Sequence, residues 1–136
     1  MTYARQRLPD KRESVTHKVV MGMVEFYVTV GLYPDGAPGE IFIKAGSISP
    51  KIEDSFGFQG WCDTIGELCS IILQAGVPLP VLCSHLKGKM FKPDGWTEEE
   101  HFAQSVPDYL GWWLMKNWGS DDSEIAGQQL PEPRED

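Results

Sequence analysis

Two spacings of hydrophobic residues divide this chain. From Thr16 to Met21 and from Val24 to Leu32 the residues are rich in β-branched and aromatic types, the composition of strands. In the second run Phe26, Val28 and Val30 share one face while Glu25, Tyr27 and Thr29 share the other, so the pattern predicts a sheet packed on one side and wetter on the other. Gly22-Met23 is the candidate turn between the runs. Tyr33 to Gly39 holds Pro34-Asp35-Gly36 and Pro38-Gly39, where proline presets φ and glycine permits it to be positive, so the chain reverses. Glu40 to Lys44 alternates again, with Ile41 and Ile43 on one face, as a third strand.

The spacing then lengthens to three and four. Phe58, Trp61, Cys62, Ile65, Leu68, Cys69 and Ile72 form a stripe on an amphipathic helix running from Phe56 to Ala75. Ser55 suits its N-cap, Glu53 and Asp54 suit the positive end of its dipole, and Gly76 with Pro78 should stop it. A short helix is expected from Pro80 to Lys87, before Gly88. Thr97-Glu98-Glu99-Glu100 has the spacing of a capping box and predicts another helical turn. A last helix starts near Ser105, holds Pro107 in its first turn, carries Val106, Tyr109, Leu110 and Trp113, with Asn117 next in line, on one stripe, and ends at Gly119. The expected fold class is α/β in the broad sense and α+β in the narrow one. An antiparallel sheet of about three strands is covered by a long amphipathic helix, with two or three further helices. The single domain spans residues 16–119. It follows a basic arm, residues 1–15, in which Leu8-Pro9 favours extended backbone, and precedes an acidic tail, residues 120–136, with too little apolar content to pack.

Charge narrows the functional classes. The net charge is -8 over 136 residues, but residues 1–96 hold ten bases and ten acids, whereas residues 97–136 hold ten acids against Lys116 and Arg134. No basic face for duplex nucleic acid follows from that distribution, although the first eighteen residues carry five bases and two acids and leave room for a local anion site. No apolar run approaches the roughly 18 to 20 residues needed to span a bilayer, and three cysteines without a CxxC pair read as reduced thiols. A cytoplasmic protein without a membrane partner is the expectation.

Most catalytic and metal chemistry finds no support in the spacing. Cys62 and Cys69 would be about 10 Å apart along a helix, too far for two thiolates on one zinc, so the cysteines read as core residues and no metal or cofactor is expected. The glycines lie in a hairpin with no Lys-Ser or Lys-Thr pair opening the next helix, so phosphate-loop fingerprints are absent. Two features remain. Arg5, Arg7, Arg12, Ser14, Thr16, His17 and Lys18 gather forked donors and hydroxyls suited to a phosphate; the same arm would equally suit docking on the protein's own acidic surface. If the first strand begins near Thr16, alternation puts Ser14, Thr16 and Lys18 on one side. Trp112, Trp113 and Trp118 cannot all face one core, so at least one belongs at a rim, as an interface or a stacking platform.

The order of the pieces resembles the TSCPD accessory domain near the C-terminus of adenosylcobalamin-dependent ribonucleotide reductases. The resemblance rests on Arg7-Leu8-Pro9 with Arg12, Ser14 and Thr16-His17-Lys18; on Val30-Gly31, Tyr33, Asp35-Gly36 and Pro38 to Ile43; on Gly76-Val77-Pro78-Leu79; and on Phe91, Pro93, Gly95, Thr97, Ser105, Asp108-Tyr109 and Trp113-Leu114. It covers roughly residues 5–116. The motif that names the domain reads Gln104-Ser105-Val106-Pro107-Asp108, with valine in the place of cysteine, so no thiol role at that position carries over. The reductase's radical-site and redox-tail cysteines have no counterpart, and the resemblance implies no catalytic residues.

Together these readings predict a non-catalytic binding protein that holds a nucleotide or phosphorylated small molecule, possible roles including sequestration of a nucleotide signal in a phage-type counter-defence. The expected ligand residues are Arg7, Arg12, Ser14, Thr16, His17 and Lys18, with Tyr33, Trp96 or Trp113 stacking on a base. The alternative is an interaction module that docks on or regulates a ribonucleotide reductase, or that pairs with itself.

Overall fold

The computed structural model describes residues 4–48 and 55–119. The expected acidic tail, and Glu53 and Asp54 as partners of the helix dipole, lie outside them. Strands β1 (Ser14–Met21), β2 (Val24–Leu32) and β3 (Pro38–Ile48) form an antiparallel sheet in the order β1-β2-β3. The register aligns Val19 with Phe26, and Val28 and Val30 with Ile43 and Ile41. The core face thus carries Val19, Met21, Phe26, Val28, Val30, Ile41 and Ile43, all buried. The opposite face carries Thr16, Lys18, Tyr27, Thr29, Phe42 and Lys44 and stays wetter, as the alternation requires.

Helices α1 (Ser55–Gln74), α2 (Leu79–Leu86) and α3 (Val106–Trp118) complete the α+β domain, and β4 (Gly95–Trp96) and β5 (Phe102–Ala103) make a small second hairpin. Tyr109 of α3 meets Phe26 edge-on at 6.2 Å, which sets α3 over the core face. The hairpin tip of β1 and β2 reaches β4: the Gly22 N–H donates to the Trp96 carbonyl at 3.0 Å. A Cβ on Gly95 would come within 2.7 Å of the Gly22 Cα, so the two backbones touch only because both residues are glycine, both also at positive φ.

Helix α1 has the expected extent but a rotated face. Trp61 and Leu68 are 66% and 55% exposed, while Phe58, Cys62, Cys69 and Leu73 are buried. The physical reason is that α1 lies along the free edge of β3 and seals it with polar side chains. Gln59 accepts from the Ala45 N–H at 2.6 Å and donates to the Ile43 carbonyl at 3.1 Å. Ser70 Oγ accepts from the Ile41 N–H at 2.8 Å, and Gln74 donates to the Gly39 carbonyl at 2.9 Å. Gly66 allows the approach, since a Cβ there would lie 2.8 Å from the Ile41 carbonyl oxygen. The helix rotates to place Gln59, Gly66, Ser70 and Gln74 against the strand, and the stripe shifts with it. Ser55, expected as the N-cap, is the first residue of α1 itself.

The capping box at Thr97 is a turn rather than a helix start. The Glu100 N–H donates to the Thr97 carbonyl at 3.0 Å and Thr97 Oγ1 donates to the His101 carbonyl at 2.9 Å, which closes the β4-β5 hairpin. Glu100 takes a φ of 60°, incompatible with continuing a helix.

Candidate binding cleft

The arm does not project from the domain. The Gln6 N–H donates to the Gln74 carbonyl at 2.8 Å, and Arg5 Nε donates to the Gln74 side chain at 2.7 Å. Tyr33 donates its hydroxyl to the Gln6 carbonyl at 2.6 Å. Arg12 Nε donates to Glu40 at 2.6 Å while its Nη1 reaches the Pro9 and Asp10 carbonyls at 3.0 and 3.2 Å. Glu40 is a buried carboxylate, and Arg12 is the charge that offsets its desolvation. The ion pair holds the Arg12 guanidinium above its ordinary pKa, chiefly through that hydrogen bond.

Held this way, the arm forms one wall of a cleft of about 810 Å³. The floor is the outer side of β3 and the far wall is α1. Arg5, Arg7, Arg12 and Lys44 supply positive charge, and Asp10, Glu40, Asp63 and Glu67 supply negative charge. The Arg12 and Glu40 charges are spent on each other, and Asp63 accepts from Gln59 at 2.6 Å. Arg7 and Lys44 have no hydrogen bond or ion pair with another described side chain. Phe42 presents a ring that is 54% exposed on the cleft floor.

The sheet separates the residues expected to act together. Ser14, Thr16 and Lys18 share the wetter face. There Thr16 and Thr29 hydroxyls meet at 3.1 Å, and Lys18 pairs with Glu25 at 3.0 Å, which raises the Lys18 pKa. None of the three lines the cleft. His17 points to the core face, where it stacks on Trp113 at 4.8 Å between ring centroids and shares a hydrogen bond with the Tyr109 hydroxyl at 2.9 Å. Burial pushes the Tyr109 phenol well above its usual pKa. Trp113 is buried, Tyr33 braces the arm, and exposed Trp96 meets Phe102 edge-on away from the cleft. Trp112 stacks on the His101 ring at 4.0 Å, and the Lys116 ammonium lies 5.0 Å from its ring centroid. Among the expected ligand residues, Arg7 and Arg12 alone line the cleft. Sequence reasoning missed Lys44, Phe42 and Glu67, whose only signal was their place on the polar faces of β3 and α1.

The Gln104-Ser105-Val106-Pro107-Asp108 segment is a structural clamp. Ser105 caps α3 by accepting from the Asp108 N–H at 3.1 Å and donates its own hydroxyl to the Lys89 carbonyl at 2.7 Å. The Asp108 carboxylate accepts from the Gly88 N–H at 2.7 Å and from the Gln104 N–H at 2.9 Å. It thereby ties the end of α2 to the start of α3. Val106 is buried and lines an apolar depression of about 550 Å³ with Phe58, Trp61, Phe91 and Pro107. The three thiols are buried, and burial raises Cys62 and Cys83 to about 12 and Cys69 to about 11, which makes them poor nucleophiles. Among the described residues no group of three or more acidic, histidine or cysteine side chains could hold a metal, and no helix is long and apolar enough to cross a membrane.

The fold and the cleft define a small α+β domain with a laced arm and a clamped helix start. The TSCPD domain model matches residues 1–117, so the chain belongs to the TSCPD family. It is 44% identical over 115 residues to a vitamin B12-dependent ribonucleotide reductase of Rhodopirellula baltica, covering 81% of this chain and 10% of that protein. Reductases of the same name from Streptomyces avermitilis and Bradyrhizobium diazoefficiens are 33% and 29% identical over 78% of the chain. The chain spans about a tenth of the length of these relatives. No solved structure matches it.

Proposed function

We propose that this TSCPD domain is a non-catalytic binding module whose cleft between the arm, β3 and α1 takes a phosphorylated small molecule, by class a nucleotide. The observation that carries the reading is the division of the cleft walls. Arg7 and Lys44 are cations without a partner among the described residues, beside an exposed phenyl ring, and Glu67 stands on the opposite wall. Guanidinium and ammonium groups bind phosphate through charge-assisted bonds. Phe42 would stack on a base, and a carboxylate accepts from ribose hydroxyls or from the amino edge of a base. A bare anion would leave the acidic wall unused, whereas a nucleotide engages both walls. Sequestration of a nucleotide signal would need this kind of binding without turnover. The reading that the domain docks on a reductase through its C-terminal tryptophans has less behind it, because Trp113 is buried and Trp112 is half-buried with its ring stacked on His101.

Calorimetry of the full chain with mono-, di- and cyclic nucleotides tests the proposal. Saturable heat with at least one of them, weakened at least about tenfold by Lys44→Ala or Arg7→Ala, is expected; tenfold corresponds to about 1.4 kcal/mol. No heat with any member at millimolar concentration would overturn it.

A further inference from the structure

The two edges of the sheet are treated differently. The β3 edge is sealed by Gln59, Ser70 and Gln74, as described above. Among the described residues, the β1 edge is closed only at its hairpin end, where Met21 bridges Thr97 and the Gly22 N–H reaches Trp96. The Leu32 N–H donates to the Glu13 carbonyl at 2.9 Å, so with the observed register Val15 and His17 turn their backbone groups toward β2. Ser14, Thr16 and Lys18 then direct theirs outward. No other described element pairs with this stretch. It contains no proline and no bulge, and its one charge, Lys18, is engaged by Glu25 on the wetter face, so the usual devices that blunt an edge are missing.

We propose that Ser14–Lys18 is a homodimer interface, pairing antiparallel with the same segment of a second copy about a two-fold axis through Thr16. That register sets Thr16 against the partner's Thr16 and Ser14 against the partner's Lys18, so every outward-pointing backbone group finds its complement. On the core side it sets Val15, which is 39% exposed, against the partner's His17, whose ring lies on Trp113. No like charges face each other in this alignment, since Arg12 falls opposite Val20 and Glu13 opposite Val19. The sequence of the segment is thus complementary to itself in the register that pairs all three of its outward-pointing residues, and the two sheets join into one continuous sheet. The proposal is independent of the cleft, which lies at the other edge.

Sedimentation equilibrium on the full chain tests it. Twice the chain mass of 15.3 kDa is expected. Thr16→Pro removes an N–H that the folded monomer does not use and sits where an edge strand tolerates proline. It should raise the dimer dissociation constant at least about tenfold with the far-ultraviolet circular dichroism retained. Thr16→Lys keeps the backbone donors but opposes two ammonium groups across the axis and should do the same. A wild-type chain that stays monomeric at millimolar concentration, or a dimer that survives both substitutions unchanged in folded protein, would overturn the proposal.

Discussion

Replacing Asp108 by alanine should cost the domain about 2 to 4 kcal/mol, and the size follows from what the carboxylate holds. It accepts from the Gly88 N–H at 2.7 Å and the Gln104 N–H at 2.9 Å, bonds to a charged group that are worth about 1.5 to 3 kcal/mol each. Gly88 is exposed and its freed N–H can turn to water, so its share falls at the low end. Gln104 is half-buried, and its freed N–H is left poorly hydrated. Asp108 also stands in the first turn of α3, where its negative charge adds about 0.3 to 1 kcal/mol through the helix dipole. Urea titration at neutral pH, followed by tryptophan fluorescence, measures the loss as a lower midpoint at an unchanged slope. Because small domains are stable by only about 5 to 15 kcal/mol, the shift is large. A loss below about 1 kcal/mol would refute the claim that the family-naming segment acts as a clamp between α2 and α3.

Ser70→Ala should cost about 1 to 3 kcal/mol in the same titration, because it leaves the Ile41 N–H without the Ser70 oxygen in a buried place; a loss within error of zero would contradict the sealing of the β3 edge by α1. The thiols give a pH dependence with a definite sign. Burial raises Cys62 and Cys83 from 9.0 to about 12 and Cys69 from 9.0 to about 11, so the folded chain keeps protons that the unfolded chain releases. Their contribution is full below pH 9.0 and is lost as the pH climbs toward the folded values, so the unfolding midpoint should fall steadily above pH 9.0. A Cys62→Ala, Cys69→Ala, Cys83→Ala triple variant should flatten that fall, and an equally steep fall in the variant would contradict the assignment.

The strands were legible because alternation is a direct image of a sheet with one wet face: Phe26, Val28 and Val30 could face only one way. The start of α3 was legible for a similar reason, since Ser105 with Pro107 two residues on is local chemistry. The orientation of α1 was not. Gln59, Ser70 and Gln74 look like surface residues in sequence, and only the proximity of an unpaired strand edge turns them into buried partners, while Trp61 and Leu68 yield the inner face. The capping-box spacing at Thr97 fits a hairpin turn as well as a helix, and the bond from Gly22 to Trp96, a long-range contact, selects the hairpin. At the candidate site, alternation already placed Ser14, Thr16 and Lys18 on one side of β1, and by the same parity it sends His17 to the other. The pairing of Arg12 with Glu40 and the meeting of Arg7 with Lys44 and Phe42 depend on how the arm folds back across β3, and no local pattern encodes that.

The most direct measurement of the cleft is a nitrogen-15 nuclear magnetic resonance titration of the full chain with the nucleotide that gives the largest heat. The account predicts saturable shifts confined to the amides of Arg7, Phe42, Lys44 and Glu67 and their neighbours, with those of Trp96 and Trp118 unmoved. Shifts centred on His17, Trp96 or the α3 tryptophans, with the Phe42 and Lys44 amides still, would contradict it.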